Sequence, residues 1–400
     1  MRRVTLFVLA LALAGAGFLL AQTPPAATSR PASPGAEPQP SPPGFSGPGA
    51  PFSTTAPVFQ RRAAANSSAV RNQLIPPIVP LIDLHIRDTV IRIGADGMYY
   101  LTGSVGDNIW ARADGIELWR SADLKKWNYL GVVWSFAKDA TWEKPKDFRG
   151  VMVQSIWAPD FFYIKSQKNY FITFSMPPGD RGILKSTTGK PEGPYVNALA
   201  DDAKLQGEID LSLFEDDDGK VYAVWGPCLM ARMKDDMSGL AEVPRNPTLL
   251  DPDKDPTHHA ANCPTARNCN DIGHEGPCLF KHDGKYYLTG ADTYQGRYSS
   301  MVAISDNVYG PYKMRHEAVP CGGGTNYFED KEGNWWCAFF GNDTQAPFRE
   351  MPAMVRIQFV QDGKISIADE QPAFVLQQGA NPRWRTTPAA SASNPAPQPR

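Results

Sequence analysis

The chain has 400 residues, 42% hydrophobic and 11% aromatic, enough apolar material to bury a large core. Its 40 basic and 42 acidic residues leave a formal charge of −2. No excess of either sign recommends nucleic acid or an anionic membrane as a partner, and no protein partner is indicated.

Met1-Arg2-Arg3 followed by the apolar run Val4 to Leu20 reads as a secretory signal, with a cleavage point after Ala21 and an uncleaved membrane anchor as the alternative. A secreted or periplasmic location is expected. Residues 22–73 carry eleven prolines between Pro24 and Pro57 and read as an extended tether, and residues 386–400 read as a similar tail. One folded domain, residues 74–385, remains. In an exported chain, Cys263 and Cys269 suit a local disulfide, whereas Cys228, Cys278, Cys321 and Cys337 adjoin strand patterns and suit small buried side chains. His258-His259 lie near Cys263 and Cys269 at no usual zinc spacing, so no metal site is assigned.

The folded region repeats itself. Ile209, Leu211 and Leu213 alternate with polar residues, Glu215 to Gly219 supply turn chemistry, and Val221, Ala223 and Trp225 alternate again: a β-hairpin. Its turn and second strand recur after Asp96-Gly97, Asp283-Gly284 and Glu332-Gly333, and more weakly after Lys168. Counted from Tyr99, Tyr170, Val221, Tyr286 and Trp335, the copies lie 49 to 71 residues apart, which suits a four-stranded sheet with loops. Five such units predict an all-β, five-bladed β-propeller.

Most acids sit in turns. Asp88, Asp210 and Glu275 instead open the first strand of a repeat, where acids are depleted and costly to bury. Innermost strands surround a propeller axis, so three acids at equivalent strand ends converge on one funnel. Converging carboxylates suit a hard cation or acid/base chemistry such as glycoside hydrolysis; an acid satisfied by Arg87 or another base is the structural alternative.

Ile86-Arg87-Asp88, Ile156-Trp157-Ala158-Pro159-Asp160, Ile209-Asp210-Leu211-Ser212-Leu213-Phe214 and Glu275-Gly276-Pro277 fall in order on successive repeats. Together they resemble glycoside hydrolase family 43, propeller enzymes that act on arabinose- and xylose-containing polysaccharides. The resemblance implies an inverting hydrolase with Asp88 as general base, Glu275 as general acid, and Asp210 orienting Glu275 and keeping its pKa high. It places Trp157 and Asp160 near the sugar, and Arg297 is a further candidate for a substrate hydroxyl.

Thr89 and Leu211 replace prolines frequent in that family, and Asp160 replaces a glutamate. Gly324 stands where many members carry a histidine supporting a central calcium ion, so no cofactor is expected to be required. Arg87-Asp88-Thr89 and Glu275-Gly276-Pro277 differ from the segments of the related retaining fructan-cleaving propellers. The remaining alternative is a catalytically silent carbohydrate-binding propeller, which the missing histidine and Asp160 favour and the three acids oppose.

Overall fold

The segments counted from Tyr99, Tyr170, Val221, Tyr286 and Trp335 each supply the second strand of a separate antiparallel sheet. They do so in a computed structural model that describes residues 74–106, 108–250, 272–341 and 350–385. The proposed signal, tether and tail, the Cys263/Cys269 pair and His258-His259 lie outside the described residues.

Blade 1 comprises β1 (Arg87–Ile93), β2 (Tyr99–Ser104), β3 (Gly115–Ser121) and β4 (Asn128–Ser135). A short hairpin follows, β5 (Lys146–Phe148) and β6 (Val151–Val153). Blade 2 comprises β7 (Trp157–Ile164), β8 (Asn169–Met176), β9 (Asp180–Ser186) and β10 (Tyr195–Asn197). Blade 3 has three described strands, β11 (Ser212–Glu215), β12 (Val221–Trp225) and β13 (Leu229–Arg232), with Arg245 bridging to Met230. Blade 4 comprises β14 (Glu275–His282), β15 (Lys285–Tyr294), β16 (Arg297–Ser305) and β17 (Lys313–Val319). Blade 5 comprises β18 (Gly323–Glu329), β19 (Trp335–Phe340), β20 (Pro352–Phe359) and β21 (Ile365–Ile367). The fold is the predicted five-bladed propeller. Its weakest repeat has a local reason: the blade 2 turn puts Lys168 at φ +49, where blade 3 has Gly219 at φ +79.

The core lies between blades. Tyr100, Leu118, Phe161 and Phe174 fill the space between blades 1 and 2. Phe171, Ile183, Leu213 and Trp225 fill that between blades 2 and 3, and Val224, Met230, Leu279 and Leu288 that between blades 3 and 4. One continuous cluster runs from Phe280 and Tyr287 of blade 4 through Tyr327 and Val355 of blade 5 to Ile91 and Tyr99 of blade 1. Each such side chain stabilises the ring by about 1.5–3 kcal/mol. The predicted burial of Cys228, Cys278, Cys321 and Cys337 holds. Leading into β1, Leu81 donates its N–H to Pro352 O (2.8 Å) and Ile86 to Glu350 O (3.1 Å), which ties the start of the domain to blade 5.

Every innermost strand begins with the same irregularity. Arg87 pairs with Ser104 but Val90 with Thr102, so three residues on β1 span two on β2. Trp157 to Asp160, Glu275 to Cys278 and Gly323 to Asn326 repeat this, as does blade 3, where Gly226 donates to Ile209 O and Ser212 faces Val224. These are β-bulges. The extra residue has left-handed φ in all five blades: Asp88 (+51), Ala158 (+43), Asp210 (+60), Gly276 (+59) and Gly324 (+54). Those five, with Val90, Asp160, Ser212, Cys278 and Asn326 two positions on, line a narrow axial cavity. Two positions further, the register gives Arg92 and the phenylalanines 162, 214, 280 and 328.

Arg92 closes the axis below that cavity. Its Nε and NH2 donate to Asp160 Oδ1 (3.1 Å) and Oδ2 (2.8 Å), and its guanidinium lies 4.7 Å from the Phe162 ring centre. Arg92→Met leaves Asp160, 5% exposed, without its cation. The expected loss in urea unfolding is about 3–5 kcal/mol, partly recovered in an Arg92→Met/Asp160→Asn double variant. A single variant within about 0.5 kcal/mol of wild type refutes this view of the axis.

Candidate active site

The mouth of the axis is built from the residues at and just before each bulge. Arg87, Asp88, Trp157, Asp210, Glu275 and Gly324 line one open cavity with Trp110 and Tyr298. The three predicted acids therefore meet, although not at equivalent positions. Asp88 and Asp210 are bulge residues, whereas Glu275 precedes its bulge and corresponds to Arg87. Gly276 takes the left-handed position in blade 4, so the acid falls one residue earlier in the chain.

Each carboxylate has its own support. The Ser104 hydroxyl donates to Asp88 Oδ2 at 2.6 Å, and its oxygen accepts the Ala158 N–H of the next blade at 2.8 Å. Ser175 occupies the same place in blade 2, opposite Trp157, and accepts the N–H of Asp210 at 2.8 Å. Asp210 Oδ2 accepts the N–H of Gly276 at 2.9 Å, which fixes the peptide following Glu275. Glu275 Oε1 accepts from the Tyr298 hydroxyl and lies 3.6 Å from His274 Nε2. Arg87 does not pair with Asp88. Its NH1 meets Glu350 Oε1 at 2.8 Å, and its guanidinium lies 4.4 Å from the Trp110 ring centre and 4.5 Å from that of Phe340.

Burial raises the Asp88 pKa, against the opposing effects of Arg87 and Ser104. Burial also pushes Asp210 well above the ordinary aspartate range, reinforced by the charges of Glu275 and Asp88. Glu275 goes the other way. Burial acts to raise it, but the hydrogen bond and charge of His274, with Tyr298 and Arg87, bring it down to about 2. In the open site His274 is the largest influence lowering Glu275, opposite in direction to the effect expected of Asp210.

Trp157 is a wall of the cavity, as expected. Its Nε1 donates to Ile109 O at 3.1 Å, and its ring is held edge-on by Trp110 (5.9 Å, 78°) and Phe148 of the β5–β6 hairpin (6.0 Å, 79°). Asp160 is not beside the mouth. The bulge at Ala158 puts it one level down the axis, on Arg92 and Ser212. Arg297 does not line the cavity either; its Nε and NH2 are committed to Glu317 on β17, with NH2 to Oε2 at 2.8 Å. Arg87, Trp110, Tyr298 and His274 were not assigned from sequence. His274 and Arg87 carried a sequence signal, each standing directly before a predicted acid, Glu275 and Asp88.

The donors for a central metal ion do not fit. A Cβ on Gly324 would stand 2.4 Å from Phe340 Cε1 and 2.9 Å from Asp88 Oδ1, so that position has no room for a histidine. Asn326 spends its amide on blade 1, accepting from Ile91 N (2.9 Å) and donating to Ile91 O (2.8 Å). Among the described residues no three His, Cys, Asp or Glu side chains converge on a metal position.

The chain and its fold have relatives among known proteins. A sequence model of Glycosyl hydrolases family 43 matches residues 79–365. A putative beta-xylosidase from Xylanibacter ruminicola is 25% identical over 263 residues, 62% of this chain and 43% of the relative. The chain thus spans less than half the length of that curated relative. An endo-1,4-beta-xylanase and an endo-arabinase from Bacteroides thetaiotaomicron share the fold, each with TM-score 0.53 and 22% identity. The matches cover 74% and 72% of this chain and 97% and 100% of theirs.

Gly323 gives Tyr298 its room, because a Cβ there would fall 1.6 Å from the ring. Gly323→Ala is expected to cost about 1–3 kcal/mol in a denaturant titration, through overpacking. An unchanged midpoint would show that the tyrosine ring is not confined here.

Proposed function

The chain belongs to glycosyl hydrolase family 43, and from that membership we propose that it hydrolyses glycosidic bonds of xylose- or arabinose-containing oligo- or polysaccharides with inversion. The observation that carries this reading is the meeting of Asp88, Asp210 and Glu275 in one open, aromatic-walled cavity. The named activities of the relatives, on xylan, xylosides and arabinan, favour a pentose substrate. The leader-like Met1 to Ala21 supports export to the periplasm or beyond.

In the proposed reaction Asp88, held by Ser104, takes a proton from water as the oxygen attacks the anomeric carbon. Glu275 gives a proton to the glycosidic oxygen as the bond to it breaks. Asp210 acts through the Gly276 peptide, holding the backbone from which Glu275 projects. Trp157 offers an aromatic wall to the apolar surface of a sugar ring. No step is assigned to a metal, and 5 mM EDTA is expected to leave both the melting temperature and turnover unchanged; a drop reversed by calcium refutes this.

Asp88 must be ionised to act as base. Burial raises its pKa, so the acid limb of kcat/KM is expected above the ordinary aspartate value of 3.8.

The deciding experiment is hydrolysis of aryl α-L-arabinofuranoside, aryl β-D-xyloside and the matching oligosaccharides by wild type and Glu275→Ala. Loss of general acid catalysis is expected to cost about 10²–10⁴ on oligosaccharides and far less on activated aryl glycosides. Proton NMR of the first-formed sugar anomer reads the stereochemistry, and a retained anomer removes the inverting assignment. Binding without turnover of any of these substrates would establish a carbohydrate-binding propeller instead.

A further inference from the structure

Behind Glu275 lies a chain of charged groups that the reaction as written does not use. His274 directly precedes the acid on β14 and donates its N–H to Ala291 O at 3.0 Å. Its Nε2 stands 3.6 Å from Glu275 Oε1 and its Nδ1 3.3 Å from Asp292 Oδ1 on β15. Asp292, 1% exposed, meets Arg315 NH2 of β17 at 2.6 Å. Arg315 is anchored in turn, its Nε donating to Ile272 O at 2.9 Å. The imidazole lies edge-on to Tyr298 of β16 (5.8 Å, 60°), whose hydroxyl donates to the same Glu275 oxygen. Facing His274, then, are Glu275 on its own strand, Asp292, Tyr298, Arg315 behind Asp292, and the charge of Asp210 from blade 3.

A buried carboxylate on the far nitrogen of a histidine orients the ring and favours its cationic form. Here the near nitrogen is aimed at the carboxyl that must deliver a proton. We propose that His274 is the proton reservoir of Glu275, oriented by Asp292 and Arg315. In the open site the pair holds its proton as imidazolium and carboxylate. When substrate displaces water from the cavity, the N–H bond at Nε2 breaks and an O–H bond forms on Glu275. That proton then passes to the glycosidic oxygen as the bond to the sugar breaks. After products leave, the neutral imidazole, 16% exposed, regains a proton from solvent. His274 is thus a positioning and proton-holding residue, and Glu275 remains the group that meets the substrate. The inference rests on the role proposed for Glu275 above.

The electrostatics agree in direction. Burial alone would lower the His274 pKa, but the hydrogen bonds and charges of Asp292 and Glu275 outweigh it and hold the proton to about pH 10. Imidazolium with carboxylate carries the same number of protons as imidazole with carboxylic acid. The pair therefore keeps its proton until His274 gives it up, and the alkaline limb of the rate profile belongs to the pair. A catalytic carboxyl on its own is tuned to about 6–7.

The test is the pH dependence of kcat/KM on an oligosaccharide, wild type beside His274→Gln. The alkaline limb is expected to fall by about two or more pH units in the variant. Turnover near neutral pH is expected to drop about 10–100-fold on the oligosaccharide and less than about threefold on an activated aryl glycoside. An unmoved limb in a folded, active variant overturns the proposal while leaving Glu275 as the acid. A second measurement covers a variant that fails to fold: NMR titration of the His274 ring in wild type and Glu275→Gln. Titration near pH 10 in wild type, falling by at least about one unit in the variant, supports the pairing; a ring indifferent to Glu275 overturns it. A wild type that hydrolyses nothing refutes the hydrolase reading, and with it any catalytic use of His274.

Discussion

The site depends on one backbone device, an extra residue of left-handed φ near the head of each innermost strand. A regular strand would point successive side chains alternately to opposite faces, with one of each pair directed away from the axis. Three residues spanning two removes that alternation locally, so two consecutive positions both reach the cavity. In blade 1 these are Arg87 and Asp88, and in blade 4 Glu275 and Gly276. Left-handed φ is costly for most residues and least so for glycine, asparagine and aspartate. Two aspartates and two glycines occupy four of the five bulges, and the conformation that aims the carboxylates also selects the residues able to adopt it.

The same device explains what the sequence disclosed. Turn dipeptides and alternating Tyr, Val and Trp made the second strands plain, because those strands are regular and flanked by sharp turns. Asp88, Asp210 and Glu275 were legible because acids are depleted where apolar strands open and are costly to bury there. Their exact register was hidden, since a bulge leaves no mark in hydrophobic periodicity beyond a small or acidic residue where an apolar one is expected. Asp160 was assigned to the sugar from the resemblance of the Ile156 to Asp160 segment to a second-blade motif; counted through the bulge at Ala158 it lies one level down, on Arg92. Arg297 was assigned from its place beside a strand start, but long-range pairing with Glu317 decides where its charge goes. Tyr298 and Trp110 become wall residues through contacts between distant segments, which a linear reading does not contain.

The mouth and the axis below it bear charge in different ways. Lower down, Arg92 and Asp160 form a complete pair that borders on Ser212 and Cys278 and leaves no net charge to the core. Such pairs contribute little net stability but are costly to break, which makes them fixed points of a fold. The cavity above lies between that fixed pair and the funnel. A rigid floor suits a site whose acids must hold position to within a fraction of an ångström.

At the mouth the cations are committed unequally. Arg87 is matched by buried Glu350, and Arg315 by Asp292, so Arg87 offsets the charge of Asp88 only in part. His274 supplies Glu275. Two carboxyls then share one cavity without a cation of their own, and burial raises both. Like charges in one cavity act to raise each other's pKa. In the proposed reaction Asp88 must be ionised, held so by the Ser104 hydroxyl and the nearby Arg87. Asp210 is pushed up further. Its Oδ2 can accept the Gly276 N–H in either charge state, so its hold on the backbone of the acid does not depend on where it titrates. In the proposed reaction Asp210 thus serves Glu275 through that hydrogen bond, while burial and the neighbouring carboxylates set its own pKa.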